Sequence, residues 1–272
     1  MKTKFIKPVI GISVIISILL LSACGTGAGS TVTVAGSTSV QPYAEVLAEK
    51  YSSIYPDRAV DIQGGGSTTG IRAAQSGTAD IGMSSRNLTE EEYRMWNIII
   101  ARDGLAMIVH PDNPVKGLSL EQVRRIYSGA VTNWRDVGGS DKNIHVITRE
   151  EGSGTRGAFE DMLMDGTLIT SRAIVQNTNG SVRQLVSNDI ASIGFVSMGL
   201  ADHTVKALEL NGIAPSWNNV MEGDYILFRP FYFVSAQEPT GEVKAFIDFT
   251  MSEEGQQLLV LEGLVANVNG VG

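Results

Sequence analysis

Val34-Ala35-Gly36-Ser37-Thr38-Ser39-Val40-Gln41-Pro42 joins an apolar, β-type run to an amphipathic stretch through a turn of glycine and hydroxyl residues. Beyond it, Tyr43, Val46, Leu47 and Tyr51 fall three or four apart, while Glu45, Glu49 and Lys50 lie off that stripe. The spacing predicts a helix over Gln41–Ser53 with one buried face. Pro42 suits the first turn, and Tyr55-Pro56 ends the helix.

The same junction of strand, Gly/Ser/Thr loop and helix recurs at Gly64-Gly65-Gly66-Ser67-Thr68-Thr69-Gly70 and at Gly152-Ser153-Gly154-Thr155, and more weakly at Asn177-Thr178-Asn179-Gly180-Ser181. Around these junctions the pattern predicts strands at Val32–Ala35, Val60–Gln63, Leu105–His110, Ile144–Thr148, Ala173–Gln176, Ile193–Val196 and Pro230–Val234. It predicts further helices at Thr69–Ser76, Leu120–Tyr127, Arg156–Leu163, Val182–Ser187, Glu242–Thr250 and Glu253–Leu261. Alternation of this kind is the mark of an α/β fold.

Each junction offers unpaired amide N–H groups, the positive end of a helix dipole and hydroxyl donors. Taken singly, such a loop is an ordinary capped helix start. Several of them at strand ends point to an anion site, because α/β sheets bind ligands beyond the carboxyl ends of their strands. Arg149 ends a strand just before Gly152, and a guanidinium can grip a tetrahedral oxyanion through two parallel hydrogen bonds. Micromolar capture needs roughly 8 kcal/mol, which about eight charge-assisted hydrogen bonds at ~1.5–3 kcal/mol each cover with a surplus for ordering costs.

Enzyme signatures fail in detail. Gly152-Ser153-Gly154-Thr155-Arg156-Gly157 has dinucleotide-type spacing, but Ile174 to Asn177, where the ribose-binding acid belongs, contains no carboxylate. Gly65 and Gly70 have P-loop spacing but are followed by Ile71-Arg72, and Ser67 lacks the second glycine of a nucleophile elbow. His110, His145 and His203 are scattered without metal-ligand spacing, so neither a metal nor a cofactor is expected.

The N-terminal end has its own logic. Lys2, Lys4 and Lys7 precede an apolar run from Val9 to Leu21 and then Leu21-Ser22-Ala23-Cys24, the layout of a secretory signal over residues 1–23. Cys24 is the single cysteine, and the segment resembles a bacterial lipoprotein signal, which implies lipidation of Cys24 and a flexible tether over residues 24–30. Loss of the three lysines would take the formal charge from −8 to −11, which disfavours nucleic acid and anionic lipid headgroups as partners. A small anion held by backbone amides remains compatible with that charge.

Six blocks carry a wider resemblance: Ala35–Pro42, Gly64–Gly70, Ala79-Asp80-Ile81-Gly82-Met83-Ser84-Ser85-Arg86, Ile126–Gly129 with Asn133-Trp134, Arg149–Thr155, and Ser192-Ile193-Gly194-Phe195-Val196. Together and in this order they resemble the phosphate-binding component of the ABC-type phosphate importer. The resemblance implies a two-lobed periplasmic-binding-protein-like α/β fold with two crossover strands at the hinge. Lobe one would comprise residues 30–103 plus 229–272 and lobe two residues 104–228, with crossovers near Leu105–Pro111 and Arg229–Ser235. It implies contacts to inorganic phosphate from Thr38, Ser39, Ser67, Ser85, Arg149, Ser153, Gly154 and Thr155. It also implies an extracytoplasmic, membrane-anchored monomer that delivers phosphate to a permease and its ATPase. A receptor for sulfate or another oxyanion, a phosphate sensor or adhesin, and an envelope phosphoester hydrolase are the alternatives.

One position departs from the family. Ser85, followed by Arg86, stands where better-known members carry an aspartate that accepts the proton of hydrogen phosphate and repels unprotonated sulfate. Either another acid discriminates or selectivity is weaker; the expectation is that phosphate is still preferred through a carboxylate elsewhere, with Asp103 first, then Glu45, Glu151 and the Ser85 hydroxyl, and with Arg86 as an alternative second cationic donor.

Overall fold

The computed structural model describes residues 31–267. The signal segment, Cys24 and the tether fall outside the described residues. Within them the chain runs β1 (Thr31–Gly36), α1 (Gln41–Ile54), β2 (Ala59–Gly64), α2 (Ser67–Ser76), β3 (Ile81–Ser84), β4 (Trp96–Val109), β5 (Gly117–Leu118) and α3 (Leu120–Tyr127). It continues through β6 (His145–Arg149), α4 (Gly154–Phe159), β7 (Ile174–Gln176), α5 (Asn179–Asn188), β8 (Ser192–Ser197), β9 (Lys206–Ala207), β10 (Glu209–Leu210) and α6 (Trp217–Glu222). The last elements are β11 (Phe228–Ser235), α7 (Gly241–Met251), α8 (Glu253–Leu261) and β12 (Val265–Ala266).

The main sheet has the order β2-β1-β3-β11-β4-β8-β6-β7. β1 pairs in parallel with β2 and β3, and β6 pairs in parallel with β7 and β8, so each end of the sheet is a parallel α/β unit. The two units are joined by β4 and β11, which run antiparallel to each other. The first half of β4 pairs with β11, with Asp103 opposite Arg229 and Gly104 opposite Phe228, and its second half, Leu105–Val109, pairs with β8. At the change of partner, Leu105 N–H donates to Leu227 O at 2.8 Å and the Tyr225 hydroxyl donates to Leu105 O at 2.8 Å.

Buried apolar side chains divide at the same place. One large cluster is drawn from Leu105 to Leu227, around the stacked rings of Phe159 and Phe195 at 4.2 Å. Another combines Val32–Ala101 with Phe231–Leu264, where Tyr51 meets Phe246 and Phe249. No helix among the described residues is long and apolar enough to cross a membrane.

Most predicted elements form within a residue or two of their expected ends. β3 was not anticipated: it is four residues long and buried throughout, too short to show alternation. Gly82 within it permits the approach of α2, since a Cβ there would lie 2.6 Å from Gly70 O. The first crossover was expected at Leu105–Pro111, yet β4 begins at Trp96. The polar pair Arg102-Asp103 splits its apolar run in sequence, although Arg102 is exposed and Asp103 is wholly buried. β11 was expected between the lobes; it instead packs between β3 and β4, and only its first residues reach the boundary. The helix expected at Arg156–Leu163 starts at Gly154 and widens into a π-turn over Glu160–Met164.

Candidate functional site

The carboxyl ends of β1, β2 and β3 face those of β6, β7 and β8, and the glycine-and-hydroxyl loops leave from these ends. Contacts run directly across the cleft. Ser39 Oγ lies 2.6 Å from Thr155 Oγ1, Asn179 Nδ2 donates to Ser39 Oγ at 2.9 Å, and Thr68 N–H donates to Gly152 O at 3.2 Å.

Two guanidiniums sit within this cluster. Arg149 is 1% exposed; its Nε and Nη2 donate to the two carboxylate oxygens of Glu150 at 2.9 Å each, and Nη2 also donates to Thr38 Oγ1 at 3.0 Å. Carbonyls of Gln176 and Asn177 fix the same group from the β7 loop. Arg229 is 2% exposed, and its Nη2 donates to Ser39 Oγ at 3.2 Å. Its Nε and Nη2 also donate to Asp103 Oδ2, at 3.1 and 3.0 Å. In both arginines Nη1 is buried with no hydrogen-bond partner. The neighbouring hydroxyls of Thr38 and Ser39 thus each hold one arginine, leaving each with an Nη1 donor for a guest.

Asp103 is fully buried, and its other oxygen, Oδ1, accepts from Ser197 Oγ at 2.8 Å. Burial pushes the Asp103 carboxyl up and the Arg229 guanidinium down from their ordinary ranges, while each partner's charge opposes the other's shift. Tyr43, 3.4 Å from Ser197 Oγ, is pushed up by its own burial and by the nearby Asp103 charge, so it stays a neutral phenol.

The expected contact residues come together. Ser37 Oγ donates to Ser85 Oγ at 2.8 Å, Ser85 N–H donates to Ser67 Oγ at 3.1 Å, and Ser67 and Ser85 face Gly154 from across the cleft. Ser153 caps α4 by accepting from Arg156 N–H at 3.3 Å. Asp103, expected as a free acceptor, has both oxygens occupied by Arg229 and Ser197. Glu45 and Glu151 are exposed. Arg86, the alternative donor, is bound at 2.8 and 2.9 Å by both oxygens of Glu92.

Ser37, Asn179 and Arg229 escaped the sequence reading. Ser37 and Asn179 lie inside junction motifs already singled out, and their polarity was the available signal. Arg229 stands at the head of an apolar strand, where a charge without solvent was the clue.

Gly154 marks how tightly the halves meet: a Cβ there would lie 2.0 Å from Ser67 Oγ and 2.6 Å from Ser85 Oγ. Gly154→Ala should therefore block approach of the halves and weaken anion binding more than about tenfold, at little cost to urea stability, because the clash is relieved by opening. Isothermal titration beside a urea melt checks both parts.

A family model described as a PBP superfamily domain matches residues 22–254. The phosphate-binding protein PstS of Bacillus subtilis is 30% identical over 240 residues, covering 86% of this chain and 80% of that one. Among solved structures, a phosphate ABC transporter substrate-binding protein from Clostridium perfringens with bound phosphate is 38% identical, with a TM-score of 0.84 over 87% of this chain and 99% of the other. An ABC-type phosphate transport receptor from Vibrio cholerae is 39% identical, with a TM-score of 0.73 over 87% of this chain and 100% of the other. With its paired α/β units and its strand-end cleft, the chain belongs to the PBP superfamily, alongside the PstS phosphate-binding proteins.

Proposed function

We propose that this protein captures inorganic phosphate between two lobes and delivers it to an ABC importer. The observation that carries the reading is the pair of buried arginines, each with a free Nη1, set among hydroxyls from both halves at converging strand ends. Relatives named for phosphate binding, and a solved relative holding phosphate, support the same ligand.

The lobes in this reading are residues 30–103 with 229–272 and residues 104–228. The division follows the two apolar clusters and the change of partner along β4. Hinge bending at Gly104-Leu105 and Leu227-Phe228 opens and closes the cleft. Contacts come from Thr38, Ser39, Ser67, Ser85, Ser153, Gly154, Thr155 and Arg149, joined by Arg229; Asp103 holds Arg229 in place and does not itself touch the anion. In this reading the protein binds and does not catalyse, as a member of a solute-binding family.

A lipid on Cys24 would keep the protein, as a monomer, at the extracytoplasmic face of the membrane beside its permease and ATPase. Two acyl chains hold where one binds only marginally.

Arg149→Lys tests the site, because an ammonium cannot reproduce the two-point planar grip. Phosphate affinity measured by calorimetry should fall by more than about tenfold; an unchanged dissociation constant would remove Arg149 from the site. Cys24→Ala should move the protein from the membrane to the soluble fraction in detergent-free buffer, with its melting temperature unaltered. Retention of the variant in membranes would contradict the lipid anchor.

A further inference from the structure

Asn179 opens α5, yet the usual work of a polar residue at a helix start is done by its neighbour: Thr178 caps the helix, its Oγ1 accepting from Ser181 N–H at 3.0 Å. Asn179 is nevertheless only 2% exposed, and a buried amide needs partners at both its ends. Its Oδ1 accepts from Ser197 N–H at 3.2 Å, and because a main-chain amide can only donate, this contact fixes which way the side chain faces. The Nδ2 group is thereby aimed at Ser39 Oγ, 2.9 Å away across the cleft.

These two contacts close a ring. From Ser197 it passes through Oγ to Asp103 Oδ1, through Asp103 Oδ2 to Arg229, and through Arg229 Nη2 back to Ser39 Oγ. Ser39, Asp103 and Arg229 belong to one half, Ser197 and Asn179 to the other, so the ring passes between the halves twice. One passage, Asp103 to Ser197, lies at the pivot: Asp103 precedes Gly104, and Ser197 pairs with Leu105 where β4 changes partner. The other, Asn179 to Ser39, lies out in the cleft beside the contact of Ser39 with Thr155. A bend at Gly104-Leu105 leaves the first nearly unmoved and pulls the second apart. All five members are at most 2% exposed, so water offers their polar groups little alternative while the ring is closed.

We infer that Asn179 is a positioning residue that latches the closed cleft. Anchored through its carbonyl to Ser197 on its own half, it holds Ser39 on the other half through its amide N–H and so slows the opening that releases the anion. It acts through Ser39 and Ser197, not on the anion itself. Phosphate enters the open cleft, where Asn179 and Ser39 are apart, so the bond between them contributes nothing to the encounter. That bond must break before release. Loss of the latch therefore shows in the dissociation rate and leaves the association rate alone. This role rests on the two-lobed reading above and sets how long the lobes stay closed.

Stopped-flow mixing of the purified full chain with phosphate, and of the complex with a phosphate scavenger, tests it in the wild type and in Asn179→Ala. Tryptophan fluorescence serves as the signal, because Trp217 packs against both apolar clusters. In Asn179→Ala the dissociation rate should rise about tenfold, with association within about twofold of the wild type. Asn179→Ser, whose hydroxyl is too short to bridge Ser197 and Ser39, should show the same split, and it decides if the alanine variant does not fold. A loss of affinity carried mainly by slower association would make Asn179 part of the framework of the open site and overturn the latch. A lower melting temperature with both rates at wild-type values would overturn it too, since a merely structural residue gives that result. Scattering separates the latch from the reading beneath it. A wild type whose radius of gyration is the same with and without saturating phosphate would overturn two-lobed closure and the latch together, whereas a wild type that closes, beside variants with unaltered dissociation, would overturn the latch alone.

Discussion

The buried pair of Asp103 and Arg229 is the constraint from which the cleft follows. The two residues face each other on β4 and β11, the strands that join the halves, and 126 positions of sequence separate them. A guanidinium at 2% exposure is tolerable only beside a counter-charge. Removing one partner of such a pair costs about 3–5 kcal/mol, so the register of β4 against β11 is held by charge as well as by the backbone ladder. Once Arg229 is fixed, its Nη2 orients Ser39, and Ser39 Oγ in turn meets Thr155 Oγ1 on the opposite half.

The second arginine works by the same logic from the other side. Arg149 is neutralised by Glu150, aimed by the carbonyls of Gln176 and Asn177, and bonded to Thr38 across the cleft. Each cation already has its counter-ion, so the cleft brings little net charge to a guest and must rely on directed N–H and O–H donors. That reconciles anion capture with a strongly acidic chain. Interactions of this kind strengthen where water is excluded, which the close approach of Gly154 to Ser67 and Ser85 achieves.

How much of this could be read in the sequence depended on range. The junction loops were legible because their signals are local: a glycine that permits a turn, a hydroxyl that caps a helix, an apolar run before and a periodic stripe after. They pointed to one anion site at the strand ends with Arg149 beside it, and the family resemblance picked out Thr38, Ser39, Ser67 and Thr155 within those loops. Arg229 was illegible because its meaning lies in a strand partner far along the chain, and Pro230-Phe231-Tyr232-Phe233 reads simply as core. Asp103 was noticed for its position beside a crossover, but its occupancy by Ser197 and Arg229 is tertiary information. β3, buried on both faces and interrupted by Gly82, had no period to detect.

The central claim is that an oxyanion is held between two lobes that close on it through hydrogen bonds linking Ser39 with Thr155 and Asn179, and Thr38 with Arg149. Small-angle X-ray scattering of the protein with and without saturating phosphate tests it most directly. Closure predicts a smaller radius of gyration with phosphate, accompanied by a rise in melting temperature from binding to the folded state alone. Superimposable scattering curves at phosphate concentrations shown by calorimetry to saturate the site would contradict a hinged, two-lobed cleft.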